Sequence, residues 1–158
     1  MKYYSFIMLK PDAIRRGLVA NIVNSFIETG YTIEVFDYQI ANSEKIHKHY
    51  SEKIEIEGES FKVKSTNTFE GKPVIPIIIS SNDKETIKNV RKFIGATDPS
   101  KADPDTIRGR WAMDSMDISE KENRCCENLI HASDSIDSFI KEINIWFNTG
   151  LLSRFTKQ

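Results

Sequence analysis

The stretch Asn128–Ser135, Asn-Leu-Ile-His-Ala-Ser-Asp-Ser, constrains the fold of this chain more than any other. Leu129 and Ile130 read as a strand end, and Ser133, Asp134 and Ser135 are residue types that cap helices. Ile136, Phe139, Ile140 and Ile143 then recur at three- and four-residue spacing, the period of a helix with one apolar face. His131 therefore lies between a strand end and a helix start, where unpaired backbone N–H groups favour an anion. An imidazole with an ordinary pKa of about 6.5 is nucleophilic near neutral pH. A phosphohistidine there would split one phosphoryl transfer into two easier steps. The plainer reading of His131 is a packed, hydrogen-bonded structural histidine.

The remaining pattern is an alternation of strands and helices. Residues 3–9 read as a buried strand, after which Pro11 favours a turn or a helix start. Leu18, Ile22, Val23, Phe26 and Ile27 form a helical stripe that Gly30 closes. Residues 31–40 return as a strand, and Ser43 is expected to cap a helix running through His47 and Tyr50. The polar residues 53–60, with Gly58, read as a loop, and Phe61–Phe69 as a helix. Pro73–Ile79 is a third strand, in which Pro76 predicts a bulge or a missing ladder donor. Asn82 is expected to cap a helix from Asp83 to about Ile94, ended by Gly95. Residues 96–127 read as mostly irregular, and a loop of that length in a compact domain is usually functional. A fourth strand at Leu129–Ile130 and a helix to about Phe147 complete the order. This is the α+β, ferredoxin-like split βαβ pattern (βαββαβ): a four-stranded antiparallel sheet with helices packed on it.

Composition narrows the partners. At 158 residues the length fits one domain over 1–158, and a formal charge of −1 disfavours a general nucleic-acid binder. That balance also counts against a ferredoxin-like RNA-binding module, which needs a basic face. No apolar run is long enough to span a membrane, and a strand begins where a signal peptide would stand. The two cysteines, Cys125 and Cys126, are adjacent, so they suit neither a disulfide nor a zinc site, and a reducing cytoplasm is expected. His47 and His49 are two apart on a helix, so they share no face for a metal.

Five blocks stand in order along the chain: Lys10-Pro11-Asp12, Arg16-Gly17-Leu18-Val19, Thr106-Ile107-Arg108-Gly109, Asn128–Ser135, and Glu142-Ile143-Asn144-Ile145-Trp146-Phe147. Together they resemble the nucleoside diphosphate kinase family. The resemblance implies ping-pong transfer of a γ-phosphate between nucleoside tri- and diphosphates (ATP, GTP, ADP, GDP and deoxy forms) through Nδ1 of His131. It implies that Glu142 orients His131, where the residue alone reads equally as a solvated helix glutamate. It makes Lys10, Arg91 and Arg108 a phosphate clamp, although each alone is an ordinary surface charge. Thr97 becomes a phosphate-contacting hydroxyl and Asn128 a sugar ligand. Tyr50 belongs to the site wall or is a packing residue. Ser133 joins the His–Glu array or is only a helix cap. Phe61 is the candidate base-stacking ring, or else a core phenylalanine. Mg2+ is expected to arrive with the nucleotide phosphates, without a dedicated carboxylate cage. A homo-oligomer built from dimers is implied, with the 97–108 loop and the C-terminal tail bearing on its order.

The chain departs from the family pattern in places. The segment Trp111–Glu127 is longer than usual, and Arg124 within it reads as solvated. Residues 51–60 are longer too, Asp105 replaces a glycine in a turn, and Ser65 replaces an apolar residue near the base. The alternative function is a catalytically weak nucleotide-binding or regulatory module of the same fold.

Overall fold

The structure, a computed structural model, describes residues 1–147 and 149–155. Five stretches form strands: β1 (Tyr3–Leu9), β2 (Thr32–Phe36), β3 (Gln39–Ile40), β4 (Pro73–Ser81) and β5 (Ile130–Ala132). β1 carries no charged residue, which lets it sit between neighbours with Ser5–Leu9 all buried. It pairs antiparallel with β4 from Tyr3↔Ser81 to Leu9↔Ile75, and antiparallel with β5 through Met8↔His131. The resulting order is β2-β4-β1-β5, with β3 pairing separately to β4. That order, antiparallel throughout, is the ferredoxin-like arrangement expected from the sequence.

Side chains alternate across the sheet, and each face has its own core. Ile7, Leu9, Ile77 and Ile79 pack against Ile22 and Phe26 of α2 (Val19–Glu28), which follows the short α1 (Pro11–Arg15). Phe6, Met8 and Ile78 pack on the other face against α3 (Ser43–His49). Two further helices follow, α4 (Ser51–Glu57) and α5 (Glu59–Phe69), and Phe69 closes that core from α5. α6 (Thr86–Ile94) covers the first face with Val90 and Ile94. α7 (Ile107–Trp111) and α8 (Met116–Lys121) lie before β5. α9 (Ile136–Trp146) lays Phe139, Ile143 and Trp146 on the second core, and α10 (Thr149–Phe155) ends with Phe155 edge-on to Tyr4. Opposed residues on paired strands share a face, so His131 projects beside Met8 toward α3 and α9.

Several local expectations need correction. Residues 51–57 are a helix, because Lys53 and Glu57 pair one turn apart and the break comes only at Gly58, whose φ of +75° suits glycine. Asn42, not Ser43, caps α3, accepting from Lys45 N–H at 2.9 Å. α6 begins at Thr86 after a turn organised by Asp83, which accepts from Glu85 N–H at 2.9 Å; Asn82 is no cap. The strand expected over 31–40 divides into β2 and β3, and Pro76 faces the gap between them. The bulge falls in β2, between Ile33 and Val35, while β1 pairs through Pro76 without interruption. Residues 96–127 hold α7, α8 and a 3-10 turn at Pro99–Lys101, with Thr106 and Ser115 capping the two helices. β5 includes His131 and starts after Leu129. The tail residues 156–158 lie outside the described residues. No helix among the described residues is long and apolar enough to cross a membrane.

Candidate active site

His131 reaches the site from β5 with its side chain about one-fifth exposed, and its Nε2 lies 2.7 Å from Glu142 Oε1. Glu142 is buried because it follows Phe139 by three residues on the inward stripe of α9. Its second oxygen accepts a hydrogen bond from the Ser133 hydroxyl. A carboxylate on Nε2 favours the neutral tautomer protonated there, which leaves the lone pair on Nδ1. Rings crowd the imidazole: His49 with its centroid at 4.3 Å, Tyr50 at 6.1 Å and Phe6 at 6.2 Å.

Two buried cations stand beside it. Lys10, 4% exposed at the end of β1, donates to Cys126 O at 2.5 Å and Asn128 Oδ1 at 2.9 Å. Arg108, 5% exposed, donates to the carbonyls of Asn128 (3.2 Å), Gly95 (3.0 Å) and Ile130 (2.6 Å). Among the described residues these bonds go to uncharged oxygens. Burial pushes the Lys10 ammonium below its ordinary value, and nearby Asp12 only partly opposes that. Burial, and then the neighbouring Arg91, lower Arg108 to about 10, which leaves it charged at neutral pH. Arg91 is exposed on α6 and reaches Ala132 O at 3.2 Å. Asn128 Nδ2 donates to Thr97 O at 2.9 Å, so one amide ties the 97 loop to the Lys10 ammonium.

A cleft of about 290 Å³ brings Lys10, Arg91, Thr97, Arg108, Asn128 and His131 together, with Tyr50 and Phe61 also in its wall. A larger groove of about 500 Å³, between the starts of α6 and α9, contains none of these groups. Phe61 is 5% exposed, edge-on to Tyr50 at 5.5 Å, with Lys53 Nζ 4.6 Å from its ring centroid. Lys53 and Glu57 of α4 and Met116 and Glu120 of α8 also line the cleft, so both longer segments border it. Lys64 of α5 bonds Glu120 at 2.5 Å and ties α5 to α8. Every site residue expected from the sequence thus lines this cleft or, as with Glu142 and Ser133, stands behind His131.

Other residues carry more than their sequence context indicated. Arg124 is not solvated: it grips both oxygens of Asp114 (2.6 and 3.2 Å) and Glu122 (2.6 Å). Ser65 is buried on Lys62 O and lies outside the cleft wall. Asp105 does not take a left-handed backbone; its N–H bonds Asp103 Oδ1 at 2.9 Å. Leu129 does, with φ +74°, a conformation rare for leucine. It is held by Asp12, whose Oδ2 accepts from Leu129 N–H at 3.0 Å, and by Lys10 N–H, which donates to Leu129 O at 2.9 Å. The Lys-Pro-Asp block signals this: its aspartate and lysine clamp the residue that aims β5. His49 was expected to share no site with His47, and His47 indeed bonds Thr66 instead. His49 nevertheless joins His131 and Glu142, with one ligand-type atom of each within 4.8 Å of the others. Trp146 Nε1–H donates to His49 Nδ1 at 3.1 Å and uses the lone pair of a neutral ring, so Nε2 carries the proton and offers no metal a ligand atom.

Comparison with known proteins agrees with this geometry. The family model described as nucleoside diphosphate kinase matches residues 4–151. A nucleoside diphosphate kinase of Drosophila yakuba is 32% identical over 98% of this chain and 93% of its own length. One from Thermosynechococcus vestitus is 34% identical over 92% and 87%. Among solved structures, a transition-state mimic of the Borrelia burgdorferi nucleoside-diphosphate kinase with bound vanadate and ADP superimposes with a TM-score of 0.87. It is 29% identical and covers 94% of this chain and 89% of that one. An NDP kinase from Pyrobaculum aerophilum gives a TM-score of 0.83 at 27% identity, over 95% and 98%. With that family model matching residues 4–151 and relatives of 32–34% identity over most of both chains, the chain belongs to the nucleoside diphosphate kinase family.

Proposed function

We propose that this cleft moves the γ-phosphate of a nucleoside triphosphate onto Nδ1 of His131 and from there onto a nucleoside diphosphate. The observation that carries the reading is the pair of buried cations, Lys10 and Arg108, hydrogen-bonded among the described residues only to uncharged oxygens, beside a histidine whose other nitrogen is held by Glu142. A buried charge without a bonded counter-ion is costly, Asp12 offsets that cost only in part, and a polyphosphate supplies the remaining negative charge. In the first step the Nδ1 lone pair bonds to the γ-phosphorus, the bond to the β–γ bridging oxygen breaks, and the diphosphate leaves with those electrons. A terminal oxygen of the second diphosphate then attacks the same phosphorus and expels Nδ1.

Phosphoryl transfer asks the protein chiefly to position and neutralise oxygens. Lys10 acts as a point charge. Arg91 is exposed and free to close on the phosphates. Arg108 fixes the strand and the 95 loop with three N–H groups and has two more for phosphate. Thr97 and Asn128 offer a hydroxyl and an amide to phosphate and sugar. Phe61 gives the base an aromatic neighbour, Tyr50 forms the wall, and Ser133 and Glu142 orient the imidazole. The substrate is the Mg2+ complex of the nucleotide: Lys10, Arg91, Arg108 and Asn128 surround His131, and the cleft's carboxylates, Glu57 and Glu120, stand on α4 and α8, so phosphate oxygens and water would hold the ion. We read residues 1–158 as one domain acting in the cytoplasm. Assembly into a homo-oligomer of dimers is supported by the exposed apolar side chains of Phe36 in β2, Tyr38 in the connection that follows and Ile40 in β3.

Steady-state rates with ATP and a diphosphate acceptor varied together test the reading. Parallel double-reciprocal lines are expected. Intersecting lines would refute the covalent route, and nucleotide binding without turnover would favour the regulatory module.

A further inference from the structure

The chemistry above leaves His49 without a task. Its ring is 4% exposed on α3 and meets the His131 ring edge to face, 4.3 Å between centroids. Trp146 on α9 donates to its Nδ1 at 3.1 Å. The proton of the neutral ring is therefore on Nε2, and Nε2 is buried without a hydrogen-bond partner among the described residues. Buried orphan donors are uncommon and costly, so one lying against the proposed nucleophile calls for an explanation.

We propose that His49 is a positioning residue for the His131 imidazole: Trp146 sets its tautomer, and its ring fixes the plane in which His131 presents Nδ1. The inference rests on His131 being the phosphoryl acceptor and adds the group that holds it. Glu142 grips only one atom of that ring, Nε2, and one hydrogen bond leaves the ring free to swing about it. Attack on phosphorus needs the Nδ1 lone pair in line with the breaking bond, and rates fall steeply when such alignment is lost. The edge-to-face contact with His49 blocks the swing.

Electrostatics supports the same role. The titratable groups around His49 are His131 on β5, Lys10 at the end of β1, Lys141 and Glu142 on α9, and the adjoining Tyr50. Burial first, and then the positive neighbours, hold His49 well below the ordinary histidine range. His49 thus stays neutral beside His131 and keeps the Nε2–H tautomer that Trp146 sets.

Single-turnover phosphorylation from pH 5 to 9, with nucleotide affinity measured separately, tests the proposal on native protein, His49→Asn and Trp146→Phe. Asparagine keeps an acceptor for Trp146 but no ring; phenylalanine at 146 releases the tautomer. Nucleotide Kd should stay within about twofold while His49→Asn slows phosphorylation about tenfold across that pH range. Trp146→Phe should act in the same direction. Nitrogen NMR on the native protein gives a readout independent of any variant's folding: His49 should remain a neutral Nε2–H tautomer across that range. Folded variants with the native rate and pH profile, a loss confined to Kd, or an Nδ1–H His49 would overturn the proposal. Native protein that takes up no phosphate would overturn the phosphohistidine reading itself, and this inference with it.

Discussion

Glu142→Gln removes one charge and almost nothing else. The side chain is 4% exposed, so the substitution must be accommodated in place. The amide oxygen can keep the 2.7 Å contact with His131 Nε2, and the amide nitrogen can donate to Ser133, whose hydroxyl then turns to accept. Packing and hydrogen-bond count survive. The loss is the difference between a charge-assisted bond, about 1.5–3 kcal/mol, and a neutral one, about 0.5–1.5 kcal/mol. That difference, about 1.4 kcal/mol, is felt mostly in the transition state, where Nδ1 bonds to phosphorus and the ring becomes cationic. It corresponds to about a tenfold slower phosphorylation step. Glu142 lies behind the histidine, so nucleotide affinity should change less than about twofold. Quenched-flow phosphorylation and separately measured ADP affinity decide the matter. A native rate, or a loss residing wholly in affinity, would refute the reasoning.

Gly109→Ala should destabilise the chain by about 2 kcal/mol or more, because the new Cβ would sit 1.9 Å from the backbone oxygen of Asp103; it should also displace Arg108 and lower activity, and an unchanged thermal midpoint would contradict this. The depressed His49 makes stability pH-dependent: the unfolded chain takes up a proton that the native state refuses. Stability is thus full well above about pH 6.5 and falls as pH is lowered through it, by about 1.4 kcal/mol at pH 5.5. Urea unfolding should show this slope in the native protein and not in His49→Asn. Asp114→Asn should cost about 1 kcal/mol at the partly screened cleft rim, because Arg124 loses its two-oxygen partner and keeps only Glu122 as a carboxylate. Burial opposes ionisation of Asp114, but Arg124 outweighs it and holds the carboxyl at about 2, so this contribution is lost as pH falls from about 4 toward 2, which acid unfolding of the variant would show by its absence.

How much was legible in the sequence depended on how local the cause was. The uncharged runs of β1 and β4 declare buried strands by themselves, and the His131 stretch carries its strand end, nucleophile and cap within eight residues. Helix α4 was missed because Ser-Glu-Lys-Ile-Glu-Ile-Glu looks like loop composition: it buries no residue, and the Lys53–Glu57 pair and the Gly58 break are its marks. His49 carried no local signal, since the tryptophan that sets its tautomer lies 97 residues away. Arg124 looked solvated for a similar reason: its partner Asp114 lies ten residues back across a segment without strong periodicity. Arg108 was expected as a phosphate clamp, yet three carbonyls take much of its guanidinium, and their convergence depends on the fold.

The central claim is a covalent phosphohistidine at His131, and trapping it is the most direct measurement. Native protein and His131→Ala are incubated with γ-labelled ATP and Mg2+ without an acceptor. Acid-labile label on the native chain alone, discharged by adding GDP, is the predicted result. Native protein that binds ATP yet takes up no label, or label that persists on His131→Ala, would contradict the account.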